Sequence, residues 1–270
     1  MQRSRFLPIQ RYWKQQAGFV QLEDELALEE PLEIFVQEEP YSSTMRLPGD
    51  DLSLVRGFCF TEGLIDSLQQ IQEIKECTQS SAGERILVQL ADTRAWLQGL
   101  EDKQMQKHQS LSSCGICGRL DLESLLQRQA KVPDLQWRIS AANLLGLQHE
   151  LESRMELFER TGCAHAAALF SPDLDLLGFA EDIGRHNALD KAIGQALFWK
   201  AEDVCPLGVV SSRLSLEMVL KAARLGLQVL AGVSAATTLA VKTAQELNMT
   251  LIGFLRPSRM NVYTHAHRLY

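Results

Sequence analysis

Apolar positions after residue 140 fall into two clear periods. Leu144, Leu147, Leu151, Met155 and Phe158 recur every three or four residues and predict one long amphipathic helix, with Ser140 as its cap. Two strands follow, Ala164–Phe170 and Leu174–Ala180, joined by Ser-Pro-Asp as a hairpin. A helix beginning near Asn187 has Leu189, Ala192, Ile193, Ala196 and Leu197 as its buried stripe. From 207 onward the pattern alternates: strand Leu207–Ser211, helix Leu214–Leu225, strand Gln228–Val233, helix Thr237–Leu247, strand Met249–Leu255. Gly226 and Asn248 close the two helices with residue types that tolerate a left-handed cap. This alternation predicts parallel strands with right-handed crossovers.

The first hundred residues read less regularly. Pro31–Gln37 and Arg85–Ala91 predict strands, and Asp50 is expected to cap a helix carrying Leu54, Val55 and Phe58. A polar stretch from Gln104 to Ser113 has no period. We place a division near residue 110, between an N-terminal α+β portion (1–110) and an α/β core (111–270).

Composition then narrows the classes. The chain has 270 residues, 46% hydrophobic and 23% charged, ample for a sizeable core. Its net charge of −7 argues against a protein that coats nucleic acid. No run approaches the roughly 20 apolar residues of a membrane span, and the N-terminus lacks the apolar centre of a signal peptide. The acidic run Glu23, Asp24, Glu25, Glu29, Glu30 reads as solvated surface. The expectation is a cytoplasmic protein whose anionic ligands are held by a local site.

The carboxyl ends of parallel strands are where such folds bind ligands. Here those ends read Ser211-Ser-Arg-Leu-Ser215, Ser234-Ala-Ala-Thr-Thr238 and Gly253-Phe-Leu-Arg-Pro-Ser-Arg259. Hydroxyls at two helix starts are ordinary caps taken singly. With Arg213, Arg256 and Arg259 converging, the three together suggest a nucleotide or pyrophosphate site. Neither a Walker A sequence nor a G-x-G-x-x-G motif occurs.

Of six cysteines, only Cys114 and Cys117 lie close together, within Ser112-Ser-Cys-Gly-Ile-Cys-Gly118. The glycines make the loop supple. Three chemistries use this spacing. Zinc needs about four ligands, and Cys163 with His165 could complete such a set. Dithiol–disulfide exchange and carriage of sulfur as a persulfide are the others. A helix starting near Asp121 would favour a thiolate in the loop. Spacing alone does not choose among them.

Several segments, in order, resemble the formate dehydrogenase accessory protein family, the FdhD sulfurtransferases. They are Thr61-Glu-Gly63, Ser113-Cys-Gly-Ile-Cys-Gly118, Thr161-Gly-Cys-Ala-His165, Glu181-Asp-Ile-Gly-Arg-His-Asn187 with Ala188-Leu-Asp-Lys191, Ser212-Arg213 with Glu217-Met218, and Asn261-Val-Tyr-Thr264. The resemblance implies a homodimer with a cytidine-deaminase-like three-layer α/β/α core. It implies that Cys114 receives sulfur from a cysteine desulfurase as a persulfide, with Cys117 assisting. The sulfur would pass to a molybdenum cofactor bearing two molybdopterin guanine dinucleotides, bound as substrate and destined for the formate dehydrogenase catalytic subunit. Gly253, Phe254, Leu255, Arg256, Pro257 and Ser258 match the segment that holds that cofactor, and no resident metal is implied. A non-catalytic cofactor-binding chaperone is the alternative.

Cys163 stands where the family more often has a smaller residue, and we expect it to be buried packing. Cys59, Cys77 and Cys205 read as inert. No H-x-E occurs, which argues against a zinc deaminase. Glu181, Asp182, Arg185 and His186 either serve the ligand or form an ion network at the helix start. His165 reads more readily as a satisfied core histidine than as a ligand, and His265 and His267 as exposed.

Overall fold

In the computed structural model, the structure describes residues 2–15, 18–77, 84–94, 96, 97, 131–133, 136–198 and 206–270. The Cys114–Cys117 loop, the helix expected from Asp121, Cys205 and the division near 110 lie outside the described residues.

Two strands open the chain as an antiparallel ribbon, β1 (Ser4–Trp13) and β2 (Gly18–Ala27), with most side chains in solvent. Next come β3 (Glu30–Val36), β4 (Glu39–Arg46), α1 (Asp51–Thr61), β5 (Ile71–Cys77) and β6 (Glu84–Leu90). The four strands form one sheet in the order β4-β3-β6-β5, with β3 and β6 parallel. Leu32, Ile34, Val36, Ile86 and Val88 alternate onto its buried face, the period of two that a half-buried sheet requires.

The second half contributes α2 (Ala141–Ser153), α3 (Glu156–Thr161), β7 (His165–Phe170), β8 (Leu176–Asp182), α4 (Arg185–Ala196) and β9 (Leu207–Val210). It ends with α5 (Leu216–Leu225), β10 (Val229–Gly232), α6 (Thr238–Glu246), β11 (Thr250–Arg256) and β12 (Arg259–Val262). These six strands run β12-β11-β10-β9-β7-β8, with β9, β10 and β11 parallel as the alternation predicts. Side chains leave this sheet on both faces. Ala166, Ala168, Phe170, Val209, Ala231 and Ile252 meet Leu144, Leu147 and Leu151 of α2. Ala167, Leu169, Val210, Leu230 and Leu251 share a core with α1, α4, α5, α6 and the four-stranded sheet. The class is therefore α/β, with helices on both faces of the larger sheet.

Helix α1 lies against α4 at very close range. A Cβ on Gly57 would stand 1.8 Å from the Asp190 carbonyl oxygen, and one on Gly194 would stand 1.9 Å from that of Ser53. Only glycine fits at either point, because both neighbours are backbone.

Several sequence expectations change. Asp50 precedes α1 but does not cap it: its backbone is left-handed (φ 56°) and no side-chain cap bond forms. Its carboxylate accepts instead from Gln195 Nε2 at 2.6 Å. The long helix after Ser140 breaks at Arg154, and Phe158 is exposed. The cause is distant in sequence: Glu181 accepts from the backbone N–H groups of Leu157 and Phe158 at 3.0 and 2.9 Å, which starts α3 afresh. Part of the acidic run is also engaged, since Glu25 pairs with Arg160 and Glu30 with the buried Arg46. Asp51 and Glu84 complete the carboxylates around Arg46.

Cys163 is exposed, in the turn after Gly162 (φ 67°), which corrects its reading as packing. Cys59, by contrast, is fully buried, and desolvation pushes its thiol up to about 12. Native protein at pH 8 should therefore be alkylated by N-ethylmaleimide at Cys163 and not at Cys59, as read by peptide mass spectrometry; equal labelling before denaturation would contradict the fold.

Candidate functional site

Antiparallel pairing of β7 with both neighbours brings its first residue to the edge where β8, β9, β10 and β11 end. His165, paired in register with Asp182, therefore faces the same rim as the turns after β8, β9 and β10. Four arginines stand along this rim: Arg185, Arg213, Arg256 and Arg259. None of them makes an ion pair with a carboxylate among the described residues.

The Glu181–Asn187 segment divides into two roles. Glu181 is buried and starts α3. Asp182 is fully buried and accepts from Lys191 Nζ at 2.8 Å, the Leu47 backbone at 3.1 Å and the Gly184 backbone at 2.9 Å. Lys191 also donates to the Leu47 carbonyl at 2.8 Å. These acids hold the fold together. The bases Arg185 and His186 begin α4 beside the rim, and His186 Nε2 lies 2.7 Å from Glu217 in the first turn of α5. That contact, then Arg185 and Lys221, holds the Glu217 carboxyl below its ordinary range despite partial burial.

His165 is half-buried and has no side-chain hydrogen bond among the described residues, so it is not the satisfied core histidine expected from sequence. Burial first, and then Arg185 and Arg213, lower its pKa below the ordinary 6.5, which keeps the ring neutral near pH 7. A separate network lies behind α4. Lys221 Nζ reaches Asp190 at 2.9 Å and Thr61 at 2.8 Å, and Thr61 Oγ1 donates to Asp190 at 2.9 Å.

The Gly253–Ser258 segment lies at the carboxyl end of β11, as expected from sequence, and leads into an antiparallel strand rather than a helix. It is the second half of β11 and the turn into β12, with an irregular register between Gly253 and Arg256. Gly253 is buried, and a Cβ there would stand 2.9 Å from the Tyr263 ring and 3.0 Å from the Ser234 carbonyl oxygen. Phe254 takes a positive φ of 50°, donates its N–H to Ser234 and turns its ring partly to solvent. The Leu255 side chain packs into the α2 core, leaving only its backbone for a ligand. Arg256 folds back onto the Val233 and Leu255 carbonyls, while Pro257, Ser258 and Arg259 are exposed. Thr237 caps α6 in the ordinary way, accepting from Ala240 at 3.2 Å.

No group of three or more His, Cys, Asp or Glu side chains among the described residues could hold a metal ion, and no described helix is long and apolar enough to cross a membrane. Sequence reasoning missed the β12 hairpin and the contact of His186 with Glu217. A signal for the second existed in the Gly-Arg-His-Asn and Leu-Ser-Leu-Glu helix starts, although nothing in one sequence says that they meet.

The described residues thus define an α/β protein with a cationic rim on one edge of its main sheet. The chain belongs to the FdhD/NarQ family, whose sequence model matches residues 27–270. Sulfur carrier protein FdhD of Streptomyces avermitilis is 38% identical over 255 residues, covering 91% of this chain and 89% of its own. The protein of the same name from Sulfolobus acidocaldarius is 38% identical over 252 residues, covering 92% of each. A crystal structure assigned as a formate dehydrogenase accessory protein from Desulfotalea psychrophila superposes with a TM-score of 0.77 at 25% identity, covering 99% of each chain.

Proposed function

We propose that this chain matures formate dehydrogenase as a sulfurtransferase, carrying sulfur on Cys114 to a bis(molybdopterin guanine dinucleotide) molybdenum cofactor. The observation that carries the reading is near-full-length similarity to proteins named sulfur carriers, in a chain holding Cys114-Gly-Ile-Cys117. In the loading step the Cys114 thiolate attacks the outer sulfur of a persulfide on a cysteine desulfurase. The donor S–S bond breaks as the new one forms, and the donor cysteine leaves as thiolate, with no net oxidation. Cys117 stands ready to assist or resolve.

The rim supports the second half of the reading. Arg256 and Arg259 offer donors to phosphate oxygens, and the Phe254 ring offers a flat apolar face to a base. A homodimer of cytidine-deaminase-like cores working in the cytoplasm completes the reading, on family resemblance.

Incubation with a competent desulfurase and cysteine should add about 32 Da, one sulfur, to the peptide containing residues 114–117. Cys114→Ala should lose that mass and the ability to mature formate dehydrogenase. Retention of full maturation by Cys114→Ala would instead establish the cofactor-binding chaperone.

A further inference from the structure

The ribbon of β1 and β2 stands outside both larger sheets. Its root is fixed: Ala27 packs with Leu47, Leu157 and Ala164, Glu25 pairs with Arg160, and Arg3 donates to the Glu181 carbonyl at 3.3 Å. Beyond the root, no hydrogen bond or ion pair among the described residues ties residues 5–24 to another element.

Pairing register sorts the two faces. Leu7, Ile9, Trp13, Val20, Leu22 and Leu26 share the face turned away from Glu25 and Ala27. Leu7, Trp13, Val20 and Leu26 are each 40 to 46% exposed. The charges on this face are Arg5, Arg11 and Asp24, and the last two pair at 3.4 Å. On the opposite face the Tyr12 and Phe19 rings cover each other, 5.3 Å apart. A two-stranded ribbon alone in water is marginal, and an apolar face of this extent marks a place that is covered.

Area decides what covers it. Each strand has 10 residues, so the ribbon is about 33 Å long and about 10 Å wide with its side chains. Laid once on another surface, it removes roughly 660 Å² from water in total, well short of the roughly 1,200 Å² of a specific interface. Two-fold symmetry doubles that figure to about 1,300 Å², because each copy lends an arm and receives one. Charge agrees with self-association. Residues 1–22 hold Arg3, Arg5, Arg11 and Lys14 and no acid, whereas residues 23–45 hold acids and no base. The basic strand of one copy can therefore meet the acidic stretch of the other.

We propose that the Leu7–Trp13–Val20–Leu26 face is an arm by which two copies of this chain hold each other, each ribbon laid over the other copy. Resting on the homodimer proposed above, this assigns its contact surface.

Light scattering after size exclusion, over a dilution series of the full chain, tests the arm. The unaltered chain is expected to be a dimer. Trp13→Ser and Val20→Glu should each raise the dimer dissociation constant about 30-fold or more, the effect of losing a central anchor. Gln10→Glu, on the opposite face, should change it by less than about twofold. Circular dichroism checks that each variant is folded. Hydrogen exchange adds a second reading: amides of residues 4–27 should exchange faster on dilution, as the dimer parts. A dimer that withstands both Trp13→Ser and Val20→Glu, with ribbon exchange unchanged on dilution, overturns the arm while leaving the homodimer standing. A chain that is monomeric at every concentration overturns both, and in that case a slowly exchanging ribbon is covered by its own chain. Neither result touches the Cys114 mass shift, so the arm and the sulfur carrier fail separately.

Discussion

Gly194→Ala is expected to destabilise the protein by about 3 kcal/mol, near the upper end of overpacking effects. The added methyl would stand 1.9 Å from the Ser53 carbonyl oxygen, and its other near neighbours, Ser53 C and Gly57 N, are backbone too. No rotamer change relieves such a clash; α1 must move away from α4. That movement loosens the core the two helices share with Leu54, Val55, Leu189 and Ile193. For a chain of this length the melting temperature should drop by about 6 to 12 °C. Gly57→Ala meets the Asp190 carbonyl in the same way and should behave alike. Urea unfolding measures both, and a loss under about 0.5 kcal/mol in either would show that the helices do not cross as closely as described.

Lys191→Met should cost more, about 3 to 5 kcal/mol, because it strands a buried carboxylate. Lys191 is 2% exposed and Asp182 0%, so water cannot replace the lost partner. The Leu47 carbonyl also loses its donor. Asp182→Asn alone weakens the same set of contacts from the other side. The double variant should be less destabilised than the sum of the two singles, since removing both charges leaves neither unpaired. Strict additivity in that cycle would mean that the two groups do not depend on each other.

The parallel core was readable because β9 and β10 are short apolar runs, each followed by a helix stripe and a residue with left-handed backbone. Gly226 closes α5 with φ 85° as its type demands. The N-terminal ribbon was not readable, because β1 and β2 leave most of their side chains in solvent and show no buried period. The break at Arg154 was hidden for a different reason: the carboxylate that restarts the helix comes from Glu181, 24 positions beyond Leu157, whose N–H it accepts. Asp50 shows the limit of capping rules, since the residue type fits while its backbone geometry does not.

At the rim, sequence placed Arg213, Arg256 and Arg259 on one edge correctly. It did not tell that Arg256 bends onto main-chain carbonyls or that Leu255 faces the core. It also left Glu181, Asp182, Arg185 and His186 as one undivided charged cluster. Burial separates them, since the two acids are enclosed and the two bases begin α4 at the rim.

The contacts of α1 have a consequence for the order of synthesis. Its end is tied to Asp190 from 129 positions away, and Leu47 just before it is tied to Asp182 and Lys191 from 135 and 144 positions away. A chain leaving the ribosome must keep the oily side of α1 uncovered until α4 has emerged. Through that interval the nascent N-terminal half is the stretch most in need of shelter from aggregation.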